Sequence, residues 1–414
     1  MWSRRAIMAT SFLGSGVNVL LPFALAYFVD VRYTALWLSM RAGAQLILAV
    51  FPNPLSVILY VSKYSRIDRR RIIFGGYLWG VIPAAILCFM VFYFSGEVVE
   101  VREQWGVIAF YLVVLQVSGY ESIIARGIKR SDYLLRVSLF DLVFSLLMLL
   151  VLFVFEGFGS FLFAAALKEA GKAIYFMWLR RCDVVGGISS SVERLRKITS
   201  RYMMVHMARG GLQVFSQHGD RILFPLFFGL NTAGKISLGA SLAMVIAVFS
   251  SSAFAWSMPK TLEGEDMSGW IFREWSRLLG LALLVSVIIY LVSSCLDDFL
   301  LFLGLSSLGL DSIFVLGFLF SSVSSLNFMS MGVSRERLKS KGYFGVHFSW
   351  LIITYLSMYL VGEFGGGDAA FCLAVGVVVS STLFFIVNYS FFAWWKIISF
   401  EVILFLVAFA FGWD

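Results

Sequence analysis

Basic residues are concentrated in every second gap between this chain's apolar stretches, and that alternation constrains the fold more than any other feature. Of thirty-three Lys and Arg residues, twenty-five stand in those gaps or beside them at the two ends. Apolar stretches run at about 6–29, 33–61, 72–94, 105–125, 134–155, 161–179, 203–229, 236–258, 278–296, 313–332, 343–362 and 369–394. A bilayer core roughly 30 Å thick takes about 20 apolar residues per helix, and 60% of these residues are hydrophobic. The even gaps hold Lys63 to Arg71, Arg126 to Arg136, Arg180 to Arg201, Lys260 to Arg277 and Arg335 to Lys341. The odd gaps carry only Arg32, Arg102 and Lys235 among bases, against Asp30, Glu97, Glu100, Glu103, Glu156, Asp297, Asp298, Asp311, Glu363 and Asp368. Basic residues favour the cytoplasmic side, so the pattern predicts an all-α, polytopic protein of about twelve transmembrane helices with its N-terminus inside.

Two segments sit awkwardly in that count. Residues 397–412 are apolar but short and contain Glu401, which suits an interfacial helix or an extra span. Residues 297–311 are apolar between acids, too short to cross, and are expected half-buried on the outer face. The formal charge of +8 follows from the positive-inside bias, so anionic membrane lipids are the expected neighbours rather than nucleic acid. The opening Met1-Trp2-Ser3-Arg4-Arg5 resembles a signal peptide, yet the apolar run continues to Val29 and reads as a retained first helix. Cys88, Cys182, Cys295 and Cys372 show no metal-ligand spacing and no disulfide framework.

The hydrated gap 181–202, with Gly186, Gly187 and Ser189-Ser190-Ser191, separates a six-helix lobe at 1–180 from a second at 203–396, leaving 397–414 as an apolar tail. Leu21-Pro22-Phe23-Ala24-Leu25 in the first helix matches Phe224-Pro225-Leu226-Phe227-Phe228 in the seventh. Six helices per half predict parallel repeats about a pseudo-two-fold axis along the membrane normal, with a path between the lobes.

Ionisable residues within the spans mark the chemistry, since each costs at least about 2.5–3.5 kcal/mol in hydrocarbon. In the seventh helix His206, Arg209, Gln213, Gln217 and Asp220 fall three or four apart, with Arg221 bordering that face. Lipid cannot satisfy such a stripe, so it lines a wet cavity or binds neighbouring helices. The sixth helix carries Lys168 and Lys172 four apart, with Glu169 beside them and Asp141 of the fifth helix as a second possible partner. The first helix adds Asn18 to a milder stripe, and the second adds Arg41 and Gln45. These place helices 1, 2, 6 and 7 around a polar lumen with cationic points suited to a phosphate or diphosphate. Asp141, Glu169, Asp220 and Arg221 are the candidates for internal pairing or coupling. Pro52 and Pro54 are expected to bend the second helix.

The gaps contain no Walker-type GxxxxGK[ST], HExxH or Ser/His/Asp spacing, so neither catalysis nor ATP use on this chain is expected, and no metal or cofactor is implied. The segment Gly211-Leu212-Gln213-Val214-Phe215-Ser216-Gln217-His218-Gly219-Asp220-Arg221-Ile222-Leu223 leads into Leu226-Phe227-Phe228-Gly229-Leu230-Asn231-Thr232-Ala233-Gly234 and a helix closing with Met258-Pro259. This order resembles bacterial polysaccharide flippases. They are the Wzx-type transporters of O-antigen and exopolysaccharide units within the multidrug/oligosaccharidyl-lipid/polysaccharide (MOP) exporter superfamily. The chain departs from that pattern after the first helix, where Phe28 to Trp37 has no glycine.

The resemblance implies a MATE-like fold and movement of an undecaprenyl-diphosphate-linked oligosaccharide across the bacterial inner membrane by alternating access. It implies Arg41, Lys168, Lys172 and Arg209 as lumen cations. A proton or sodium ion, membrane lipids and other polysaccharide-assembly membrane proteins are the further partners expected. A multidrug or small-solute antiporter of the same superfamily is the alternative; a glycan polymerase or ligase would want a larger outer loop.

Overall fold

A computed structural model describes residues 19–50, 81–82, 85–86, 104–127, 131–155, 157–181, 211–212, 214–215, 218–247, 249, 268–302, 311–334, 340–364 and 368–388. Among these residues every regular element is helical and there is no strand. The helices are α1 (Val19–Phe28), α2 (Val31–Val50), α3 (Trp105–Gly127), α4 (Ser131–Phe155), α5 (Phe158–Arg181), α6 (His218–Ala247), α7 (Ser268–Phe302), α8 (Ser312–Ser334), α9 (Ser340–Phe364) and α10 (Ala369–Asn388).

Acids counted in the sequence as marks of the odd gaps begin three of these helices. Asp30 accepts the Arg32 amide at 2.8 Å, Asp311 the Phe314 amide at 3.3 Å and Asp368 the Phe371 amide at 2.8 Å. Each carboxylate satisfies a first-turn N–H that has no intrahelical acceptor, an N-cap contribution of about 1 kcal/mol. Asp311 also pairs with Lys235, tying the cap of α8 to α6.

The most visible departure from the sequence reading is α7. Charges at Arg273, Arg277, Asp297 and Asp298 suggested a span of 278–296, but the helix runs unbroken from Ser268 to Phe302 and absorbs the acidic start of the expected surface segment. Backbone hydrogen bonding is local and continues through charged positions, so charge does not mark the ends of this helix. At 1.5 Å per residue, 35 residues extend about 52 Å, well beyond a hydrocarbon core.

A second departure concerns α6. The expected gap at 230–235 is helical, and the irregularity falls at Gly229, whose φ of 74° lies in the left-handed region. A right-handed helix needs φ near −63°, so Gly229 interrupts the regular geometry of α6. Open space surrounds Gly229, so backbone conformation, not crowding, requires glycine there.

The described residues form two compact units. The first takes the described parts of Met1–Val29 and Trp37–Phe215; the second takes Asp30–Leu36 and the described parts of Ser216–Asp414. The expected linker at 182–202, the interfacial tail 397–414 and the proline bend at 52–54 lie outside the described residues. In the first unit α5 packs on α3 and on α4. Trp37 anchors it: buried, it donates Nε1 to Tyr111 Oη at 3.0 Å and meets Phe161 edge-on at 5.0 Å.

In the second unit α8 is the central helix, packed against α10 and α7, with α9 on α10. It also crosses α6 at a glycine pair. A Cβ on Gly239 would lie 2.6 Å from the Phe318 amide nitrogen, and one on Gly317 would lie 2.8 Å from the Ile236 Cα. Such backbone-to-backbone approach is the packing that small residues allow. Four helices are joined by buried polar groups: Trp275 donates to Asn327 at 3.0 Å, while Asn327 and Trp350 both donate to Ser380.

Polarity is inverted relative to a water-soluble bundle. Leu146, Leu150 and Phe153 of α4, Leu284, Ile288 and Leu291 of α7, and Ile352, Leu356 and Leu360 of α9 are all exposed. Their spacing of three or four puts each set on one helical face. Ser145, Ser286 and Thr354 of the same helices are buried. Two helical runs among the described residues are long and apolar enough to cross a membrane, His218–Ala247 (irregular at Gly229) and Gly269–Val292.

Candidate functional site

Four charged residues of the first unit, Asp141, Lys168, Glu169 and Lys172, meet in one place. Asp141 and Ser145 lie four apart on α4, Lys168 and Lys172 four apart on α5, so each pair shares a helical face. The short turn between the helices makes them antiparallel, which sets Asp141 opposite Lys172 and Ser145 opposite Lys168. Packing holds that register: Phe140 stacks on Phe144 and Tyr175, and Gly171 leaves the room that the Phe140 ring occupies.

Asp141 Oδ1 lies 3.0 Å from Lys168 Nζ and 3.2 Å from Lys172 Nζ, so one carboxylate oxygen serves both ammonium groups. Lys172 also donates to Glu169, with nitrogen–oxygen distances of 3.1 and 3.0 Å. Lys168 donates to Ser145 at 2.7 Å, and Ser118 of α3 donates to Glu169. Side-chain exposure grades the four charges: Lys168 6%, Glu169 9%, Lys172 18%, Asp141 20%. The inner two are sealed, and the outer two keep part of their surface exposed.

Arg41 adds its charge to the surroundings of this cluster. Its guanidinium carbon lies 5.1 Å from the centroid of the Trp37 ring, one helical turn back on α2, a cation–π arrangement. Its charge acts on Asp141, Lys168 and Lys172. The sequence offered Glu169 and Asp141 as partners for the two lysines, and the fold engages both, so the lysines are balanced and Arg41 adds a further positive charge nearby. Glu121 is buried one turn beyond Ser118 on α3.

Of the other candidates, Gln45 is described and exposed, one turn from Arg41. Asn18, His206, Arg209, Gln213 and Gln217 lie outside the described residues. Asp220 and Arg221 are in the second unit, where Asp220 Oδ1 accepts the Arg221 amide at 2.9 Å and Oδ2 accepts Ser321 of α8 at 3.0 Å. Beneath Asp220, Phe224 meets Phe320 at 5.6 Å and Tyr355 at 6.2 Å. Asp220 therefore caps an aromatic core.

Three participants were not singled out in the sequence: Ser118, Ser145 and Trp37. Ser145 and Trp37 stand four residues from Asp141 and Arg41, a spacing that marks them once the charged residue is suspected; Ser118 has no such signal. Among the described residues no three His, Cys, Asp or Glu side chains are grouped to hold a metal ion. The first unit thus holds lysine and arginine charges within a helical bundle, partly reachable and nearly neutralised from within. No protein-family model, curated protein or solved structure matches the chain.

Proposed function

We propose that this protein is a membrane transporter that moves an undecaprenyl-diphosphate-linked oligosaccharide, an O-antigen or exopolysaccharide repeat unit, across the bacterial inner membrane. Alternating access of two helical lobes is the mechanism the resemblance implies. The observation that carries the reading is the meeting of Lys168 and Lys172 with Asp141 and Glu169 in one polar cluster, with the Arg41 charge acting on it, within helices whose exposed faces are apolar. Apolar faces on α4, α7 and α9 suit a lipid solvent, since water-soluble proteins rarely expose such contiguous patches. Cations kept inside hydrocarbon-facing helices mark a path for charged cargo by default.

A diphosphate suits this cluster chemically. Arg41 offers paired planar donors, and Lys172 a compact point charge at the reachable edge. A cationic drug suits it less, because both carboxylates, Asp141 and Glu169, are already engaged by lysines. A proton, a sodium ion or the membrane potential would supply the driving force.

Deleting the gene tests the function directly. Lipid-linked repeat units should accumulate in the inner leaflet and surface glycan should disappear, with both restored by the wild-type gene. Unchanged surface glycan in the deletion strain overturns the proposal.

A further inference from the structure

Resting on the reading above, we propose that Asp141 is an internal stand-in for the cargo's anionic group. Its carboxylate occupies the ammonium pair of Lys168 and Lys172, and an incoming diphosphate displaces it. One Oδ1 atom within 3.2 Å of both nitrogens is placed as a phosphate oxygen bridging them would be.

The other partners are not interchangeable with it. Glu169 is held by Ser118 as well as Lys172, and it belongs to the same helix as the lysines. Asp141 stands on α4, is the most exposed of the four charges, and can withdraw by a change of its own rotamer or a small shift of α4. Ser145, bonded to Lys168, keeps the innermost ammonium partnered during the exchange. Without Asp141 the two ammonium groups would share the single carboxylate of Glu169, and an unbalanced charge in hydrocarbon is costly. An internal carboxylate keeps the group of Asp141, Lys168, Glu169 and Lys172 balanced when no cargo is bound and makes binding an exchange of anions. It also lowers affinity, which favours release on the far side.

The test uses full-length protein in phosphatidylcholine nanodiscs and farnesyl diphosphate as a soluble probe. Asp141→Asn should bind farnesyl diphosphate about tenfold more tightly than wild type, as expected when a competing charged group is removed. Its thermal midpoint should fall without the probe and recover when the probe saturates. If the Asn variant does not fold, Asp141→Ser, which leaves the lysines a hydroxyl, carries the same expectation.

Wild-type binding that is unchanged or weakened in these variants overturns the exchange and leaves the transport proposal standing. Absence of saturable binding in every variant overturns both the exchange and the assignment of this cluster to a diphosphate. Adding phosphatidylglycerol to the nanodiscs distinguishes the two sources of phosphate. Binding that persists supports the diphosphate, and competition by the lipid assigns the lysines to a headgroup instead.

Discussion

The Arg41 guanidinium lies over the indole of Trp37, 5.1 Å from its centroid, while that indole's N–H is bonded to Tyr111. The ring is fixed on one edge and thereby fixes the cation above it. Trp37→Phe should lose the buried hydrogen bond and part of the cation–π attraction, costing about 1–2 kcal/mol. Arg41→Lys keeps the charge but not the planar fork, so export should drop severalfold while thermal stability barely changes. Equal export by Arg41→Lys and wild type would refute a role for the guanidinium.

The two lysines should behave differently. Lys168 is sealed, and its loss leaves Asp141 and Ser145 in the interior with one partner fewer, so Lys168→Ala should destabilise by about 3–5 kcal/mol and reduce the amount of folded protein. Lys172 is more exposed, so Lys172→Ala should remain folded in the membrane and cut export. Comparing detergent-extracted yield with surface glycan separates the two outcomes; normal export by Lys172→Ala refutes the site.

The α6–α8 crossing depends on the absence of a side chain. A Cβ at Gly239 would collide with α8 backbone, and backbone cannot rotate away, so Gly239→Ala should cost about 1–3 kcal/mol. Gly280 of α7 has open space around its Cα, and Gly280→Ala should be neutral or stabilising by up to about 1 kcal/mol through helix propensity. Thermal midpoints of the two variants, measured side by side, check the contrast.

Helix caps allow a graded comparison. Asp368→Ala removes one cap and should cost about 1 kcal/mol. Asp311→Ala removes a cap and the partner of Lys235, so it should cost more, and the difference should shrink in high salt because the pair is partly exposed. Equal costs at low salt would show that the ion pair contributes nothing.

Much of the architecture is legible in the chain because a helix is a local object. Its hydrogen bonds join residues four apart, so apolar length, Gly and the flanking acids locate α3, α4, α5, α8, α9 and α10 to within a few residues. That Lys168 and Lys172 share one helical face was also legible, since they stand four apart. The end of α7 was not legible, because the backbone bonds of a helix do not stop at charged residues and Asp297 and Asp298 lie within it.

What the chain by itself determined is therefore the helical class, the approximate bounds of six helices and the spacing that puts charges on one face. Tertiary structure alone decided which face meets which. Asp141 bridging both lysines, Asn327 joining Trp275 to Ser380, and Gly239 against α8 all depend on helix rotation and register between segments distant in sequence. No periodicity encodes those quantities, because they are set by how side-chain volumes on different helices fit together.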